Sequence, residues 1–474
     1  MRPLLTIGKR GRRTPLLRMR AYVFVVLFAA AAAGLALGIG ARSGAGPVPS
    51  FAAPKSYATG RTPWAITSGD FNGDARPDLA TANAGLIGRS STGDSVSVFL
   101  NKGNGSFGNR HDYPTGKAPV ALAAGDLNGD GRTDLATANS NVGNVSVLLN
   151  SGGGFQPKRD YLIRGVPYDP LSVSLGDLNG DGKLDLIAAG GGSSTVSVLL
   201  NKGDGTFAAG RDYATGSFAQ SVALADVDGD GSPDIATADN GATTVSVLLN
   251  RGDGSFQAKR DWSVGGRPGE VALGDVDGDG KPDLVASTAS NSVSVLLNEG
   301  GGSFKRPRRY RTGVYPHVVA IADLTGDTKP DLAVATPGRG ASSVSVLANR
   351  GDGRFAPKVE FRVKASRAPG PLSVVLADLT GDGKRDLATA NFVANTVSVL
   401  RNRPGLCTVQ DVHGNSMQTA KQTLAHADCR VGTIRRAYSK TVRRGRVVSQ
   451  RPSFGALLPA SAKVNLVVSR GRKR

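Results

Sequence analysis

One nine-residue pattern recurs seven times in this chain and limits its fold more than any other feature. The copies are DFNGDARPD at 70–78, DLNGDGRTD at 126–134, DLNGDGKLD at 177–185, DVDGDGSPD at 226–234, DVDGDGKPD at 275–283, DLTGDTKPD at 323–331 and DLTGDGKRD at 378–386. They start 48 to 56 residues apart. Asp holds positions 1, 5 and 9 of every copy, Gly holds position 4, and position 3 is Asn, Asp or Thr. A fixed period of this size marks a chain built from repeated structural units.

The loops have the chemistry of a hard-cation site. Calcium takes about six to eight oxygen ligands in a forgiving geometry. Side chains at positions 1, 3, 5 and 9 converge if the backbone curls, with a main-chain carbonyl near position 7 turned inward. The candidate ligands are Asp70, Asn72, Asp74 and Asp78 in the first loop and Asp126, Asn128, Asp130 and Asp134 in the second. The third offers Asp177, Asn179, Asp181 and Asp185, and the fourth Asp226, Asp228, Asp230 and Asp234. The fifth offers Asp275, Asp277, Asp279 and Asp283, the sixth Asp323, Thr325, Asp327 and Asp331, and the seventh Asp378, Thr380, Asp382 and Asp386. Up to seven Ca²⁺ are expected, one per unit. Magnesium fits less well because it keeps several waters. Zinc, copper and iron are poor candidates, since no Cys or His accompanies the loops. Asp-Gly-rich stretches also form ordinary solvated turns, but 23 of the 36 acids in residues 51–404 lie at these four positions. The first loop has Ala75 and the sixth Thr328 where the others have Gly. The sixth is expected to be the weakest site.

The rest of each unit reads as strands. A β-rich run enters the loop (221–225) and another leaves it (234–238). An alternating strand follows: VSVFL at 96–100, VSVLL at 145–149, 196–200, 245–249 and 293–297, VSVLA at 344–348 and VSVLR at 397–401. A Gly-rich turn then leads to a strand that begins at Phe and ends near Tyr or Trp, as in Phe207–Tyr213 and Phe256–Trp262. Four short strands per unit is propeller-blade spacing. The seventh unit lacks its Phe-headed strand, whereas residues 51–60 match 207–216 in type. Residues 51–57 should therefore supply the missing strand and close the ring, covering a sheet edge.

These units resemble FG-GAP/VCBS repeats, the calcium-binding propeller repeats also found in integrin α-chains. The resemblance implies an all-β, seven-bladed β-propeller over 51–404, stabilised by Ca²⁺ and used for adhesion or ligand binding. The metal loops and Gly-rich turns should share one face. The loops between second and third strands and the blade-to-blade connections should share the other. The connections carry Trp64, Tyr168, Phe218, Tyr315 and His317. Such aromatics stack on sugars or anchor a protein partner, or else they pack between blades. Arg251–Asp253 and Arg350–Asp352 spell an integrin-ligand tripeptide, but equivalent turns read NKGNG, NKGDG and NEGGG, so hairpin geometry explains them.

The net charge of +20 is confined to the ends. Residues 1–50 carry +8 and residues 405–474 carry +12, while 51–404 balance 36 basic against 36 acidic residues. The propeller thus lacks the basic excess that phosphate neutralisation in nucleic-acid binding demands, and no nucleic-acid partner is expected. Seven basic residues between Arg2 and Arg20 precede an uncharged run from Ala21 to Ala41. This segment, 1–41, reads as a cleaved export signal or as an uncleaved anchor. Residues 42–50 form a linker. An extracytoplasmic location follows, secreted or anchored at the cell surface, with membrane contact only through that segment.

Composition changes after Pro404. Residues 405–474 suggest a strand at 408–412, a helix capped by Ser416 with Met417, Ala420 and Leu424 on one face, and strands near 430–436, 446–450 and 463–468. The stretches 411–414, 448–452 and 464–469 resemble a PASTA domain, a small α+β module of bacterial cell-wall enzymes and kinases. The resemblance implies contact with peptidoglycan or a related envelope polymer, and the basic charge favours an anionic one. Cys407 and Cys429 should form a disulfide, the default in an exported domain. His413 and His426 suit surface or packing roles better than catalysis.

The expected function is therefore a non-enzymatic, exported, calcium-binding adhesion or ligand-binding protein. Its partner would be a glycan or protein on the connection face. The alternative is a polysaccharide lyase or hydrolase that uses the propeller as a platform. Clustering of His317 with a lone acid and an Arg on the connection face would favour that alternative.

Overall fold

The structure is a computed structural model that describes residues 49–85, 94–163, 170–338, 342–363, 370–403, 406–425, 427, 429–459 and 462–472. The N-terminal segment, the linker through residue 48, Tyr168 and His426 lie outside these residues.

Each repeat folds into one four-stranded antiparallel sheet. In the fourth unit the strands are Ala219–Ala225, Asp234–Asp239, Thr244–Leu248 and Arg260–Ser263. They lie side by side in chain order. The described residues form seven such sheets. Their first strands meet in a closed cycle, so that Pro63–Gly69 touches both Pro119–Gly125 and Pro371–Ala377. The architecture is an all-β propeller.

Burial explains the composition of the strands. The second and third strands of the fourth unit are almost wholly buried, because the adjoining sheets cover both faces. Apolar and polar neighbours along these strands, such as Val245 and Ser246, are therefore buried alike. Side chains from neighbouring sheets share each core, as when Val245 and Val247 pack with Leu284 and Ala286. Outer strands are exposed apart from their aromatic residue. That aromatic meets the Phe of the next unit edge to face. The pairs are Tyr57–Phe107, Tyr113–Phe155, Tyr161–Phe207, Tyr213–Phe256, Trp262–Phe304 and Tyr310–Phe355, with centroids 5.1–5.6 Å apart. Phe361 and Phe51 complete the set at 4.9 Å.

That last pair involves the ring closure. Lys55–Ala58 pairs antiparallel with Thr396–Leu400, and Phe51 bridges Asn402 as Phe207 bridges Asn201. The N-terminal strand thus completes the seventh sheet, as its sequence match to 207–216 implied.

The described residues of the C-terminal module form one helix, Met417–Ala425, and strands Leu406–Thr408, Arg430–Ala437, Val447–Arg451, Leu457–Pro459 and Lys463–Ser469. Ser416 Oγ accepts the Thr419 N–H at 3.2 Å, capping the helix, and Ala420 and Leu424 are buried beneath it. The expected strand at 408–412 is displaced: the ladder ends at Thr408. Beyond it the Gln450 side chain replaces a strand partner, accepting from Val412 N–H and donating to Gln410 C=O, each at 2.7 Å. Cys407 and Cys429 form a disulfide, and both are buried.

A chain beginning at Thr62 would lose the closing strand and the Phe51 contact with Phe361. It should be less stable by at least about 1.5–3 kcal/mol, the contribution of burying one Phe alone. Denaturant unfolding checks this, and stability equal to that of the full chain would contradict the closure.

Candidate metal centre and the opposite face

The loops curl around their first carboxylate. Asp226 Oδ1 accepts the N–H of Gly229 at 2.7 Å and of Asp230 at 3.1 Å, while Oδ2 accepts that of Gly231 at 2.8 Å. Asp230 Oδ1 accepts the Ser232 N–H at 2.8 Å. The bond from the position-4 Gly N–H to the first carboxylate recurs in the other six loops. Position 6 must adopt a positive φ, 93° at Gly231. Ala75 at 64° and Thr328 at 67° take the same conformation, which costs an L-residue about 1–2 kcal/mol.

The ninth residue has a second role that the sequence pattern did not reveal. Asp234 is fully buried. Its Oδ2 accepts the Val227 N–H at 2.8 Å and its Oδ1 the Asn250 N–H at 2.7 Å. Asn250 in turn donates its side-chain amide to Pro233 C=O at 3.0 Å and to Leu178 C=O, in the preceding unit's loop, at 2.9 Å. The same bracket joins every pair of neighbouring units. Its Asn is Asn101, Asn150, Asn201, Asn298, Asn349 or Asn402 in the other six. The signal was present, since an Asn follows each VSV-type strand.

Burial pushes these ninth carboxyls up. Asp78, Asp134, Asp185 and Asp386 reach about 6, and Asp234, Asp283 and Asp331 about 7. Backbone N–H bonds oppose the shift, while the loop's other carboxylates add to it. Among the described residues, none of the ion pairs in the loops uses the ninth Asp. The pairs join position 7 to position 5, as in Lys183–Asp181 at 3.1 Å and Lys281–Asp279 at 2.8 Å. The ninth carboxylates are therefore fixed, crowded by like charge and without a cationic side chain.

Two loops gather three carboxylates most closely. Asp226, Asp228 and Asp234, and likewise Asp275, Asp277 and Asp283, each bring one oxygen of every member within 4.8 Å of the others. These are the loops with Asp at position 3. Burial, and then the neighbouring Asp230 or Asp279, raises the carboxyls of Asp228 and Asp277. Such a donor set fits a hard cation. In the sixth loop the Thr325 hydroxyl donates to Asp327 at 2.9 Å instead.

At the other end of the ring, the residues expected to share a ligand face divide. Trp64 and His317 turn into the central channel, where their rings lie 6.5 Å apart and Trp64 also meets Phe392 at 5.3 Å. Phe218 and Tyr315 stay on the surface, 42% and 66% exposed. Both sit at positive φ, 59° and 55°, like Thr62 and Ala118 at equivalent connections. Bulky residues in that region are strained, and such strain concentrates at functional sites. In the Arg251–Asp253 turn, Asp253 accepts the Ser255 N–H at 2.9 Å, as a hairpin requires.

Comparison with known proteins agrees with this geometry. The FG-GAP-like repeat matches residues 86–137, 126–188, 177–237, 226–286, 275–334 and 323–389. The PASTA domain matches residues 408–470. Among solved structures, BBS1N in complex with ARL6DN is similar at a TM-score of 0.52 and 12% identity, over 75% of this chain and 98% of that one. A lectin of Agrocybe aegerita that recognises non-reducing terminal N-acetylglucosamine gives a TM-score of 0.46 and 24% identity, over 64% and 80%. The periplasmic gluconolactonase PpgL of Pseudomonas aeruginosa gives 0.46 and 20%, over 65% and 86%. The first is a likeness of fold alone, and the other two bear no functional argument. The repeated metal-type loops, the seven sheets they join and the sequence match across 86–389 place the chain in the FG-GAP-like repeat family, followed by a PASTA domain.

Proposed function

We propose that this protein is an exported, non-enzymatic adhesion or ligand-binding protein, with a propeller stabilised by calcium and a C-terminal module that contacts the cell envelope. The division between the two ends of the ring carries this reading. Oxygen-donor loops crowd one end. Of the six exposed large hydrophobics among the described propeller residues, Val142, Phe218, Val314, Tyr315 and Val393 lie in loops at the other end, and only Leu162 does not. Exposed apolar side chains gathered in this way mark interaction surfaces, and a glycan or protein suits the aromatic pair.

Calcium is the ion that the all-oxygen donor set favours. Positions 1, 3, 5 and 9 would hold it, and it would supply positive charge where carboxylates crowd. Strain at Thr328 and the engaged Thr325 hydroxyl make the sixth loop the weakest candidate. In the C-terminal module, Arg430, Arg435 and Arg436 are exposed on an edge strand, a surface suited to an anionic polymer. The N-terminal sequence and the disulfide support export. The enzymatic alternative draws on the meeting of His317 with the lone acid Glu270 in one cavity, but no Arg is among the described residues lining it.

The sign of the pH effect follows from the ninth carboxyls. Between their ordinary 3.8 and about 6–7, the folded state holds protons that the unfolded state has lost. Metal-free stability should therefore fall as pH rises from about 4 to about 7. Calcium competes with those protons, so its stabilisation should be larger at pH 7.5 than at pH 5. Scanning calorimetry in chelator and in millimolar calcium measures both effects. A Tm insensitive to calcium at both pH values would sink the calcium reading.

A glycan array and an envelope-fraction pull-down test the ligand face. Phe218→Ser with Tyr315→Ser should weaken any captured ligand by about tenfold or more, consistent with loss of two aromatic anchors, and leave the calcium-dependent Tm unchanged. Unaltered binding by the double variant would place the ligand elsewhere.

A further inference from the structure

The first strands enclose a central cavity of about 220 Å³. Its wall is set by a repeated irregularity. A bulge interrupts the ladder between Pro268 and Glu270, and at the equivalent place in five other units. In the sixth unit His317 N–H donates to Ala335 C=O and Val318 C=O accepts the Ala335 N–H, both at 2.9 Å, so two residues again oppose one. A bulge re-aims side chains, and here it turns them toward the lumen.

At the residue after the bulge, six units carry Ala, Ser or Val, and the fifth carries Glu270. In the three units with Ser, this position joins neighbouring strands. Ser172, Ser221 and Ser373 each accept an N–H of the next unit, at 3.2–3.4 Å. Glu270 departs from that pattern and is the only acid among the described residues lining the cavity. Its carboxyl accepts a hydrogen bond from the Ser221 side chain. No Lys or Arg is among the described lining residues, and the one other titratable group there is His317. Burial holds the His317 imidazole below its ordinary value, and its ring bonds to the Leu372 backbone. The next position back is Gly269 where other units place Trp, Val, Leu, Gln or His, which leaves space beside the carboxyl.

We propose that this cavity binds a small organic cation, an alkylammonium ion, with Glu270 as its counter-ion. The lone negative group rejects anions and attracts a monocation. A hard metal ion takes about six to eight oxygen ligands, whereas the described lining supplies one carboxylate with Ser172, Gln220 and Ser373, and most of the remaining wall is apolar. Ile66, Val120, Leu122 and Val222 offer that wall to an alkyl chain. Trp64 borders the same cavity, and indole faces attract organic cations. The site stands apart from the metal loops, which lie at the opposite ends of the same strands.

Burial pushes Glu270 up to about 8, so the carboxyl is largely protonated at neutral pH. Binding of the ammonium then drives the carboxyl proton into solvent, and affinity rises with pH. The test is calorimetric titration of the full chain with n-butylammonium chloride at pH 6.5 and 8.5, in buffers of differing ionisation enthalpy. The expected result is saturable binding at pH 8.5, about tenfold or more weaker at pH 6.5, with proton release. Glu270→Gln, which keeps the shape and removes the charge, should abolish it. Gly269→Leu, which places there the residue found in the third and seventh units, should block the lumen and do the same. n-Butanol and butyrate should not bind. Absence of saturable butylammonium binding at pH 8.5, equal binding of n-butanol, or undiminished binding by a folded Glu270→Gln variant would each overturn the proposal.

Discussion

The carboxylate at the ninth position of each loop is the constraint on which the ring depends. It is buried and accepts two backbone N–H groups, one from its own loop and one from the Asn that ends the third strand. That Asn reaches the preceding unit's loop. A buried backbone group left unpaired costs about 1–3 kcal/mol, so each bracket fixes a joint that alternatives would leave unsatisfied. The arrangement also puts a buried acid beside the exposed carboxylates of the same loop. Joint and metal-type loop are thereby one chemical unit, repeated around the ring.

Repetition makes departures informative. At the metal-loop end the pattern varies little: Ala75 and Thr328 take the positive φ that Gly takes elsewhere, and Thr325 and Thr380 stand where the other loops have Asn or Asp. At the other end the backbone repeats while the side chains do not. Connections with one shared positive-φ conformation carry Thr62, Ala118, Phe218 and Tyr315, and the described residues lining the lumen include a single acid. The constant end holds the ring, and the variable end is where the units differ from one another.

Much of the fold was legible because it rests on local patterns. The strand period, the loop spacing and the match of residues 51–60 to 207–216 lead to the observed sheets and to closure by Lys55–Ala58. What was not legible depends on bulges and long-range bonds. Trp64 and His317 read as connection-face residues, yet a backbone irregularity carries them into the channel. Asp234 reads as a ligand alone, and only the fold shows its two N–H partners. The strand placed at 408–412 failed because a side chain, Gln450, takes the partners a strand would have used.

If joint and loop are one unit, the calcium proposed for the loops must be felt at both. Hydrogen exchange at the backbone amides of Asn101, Asn150, Asn201, Asn250, Asn298 and Asn402, each bonded to a ninth carboxylate, measures this directly. Removing calcium should speed exchange at these buried amides together with those of the loops. Unchanged protection at the Asn amides, with or without faster exchange in the loops, would contradict the coupling.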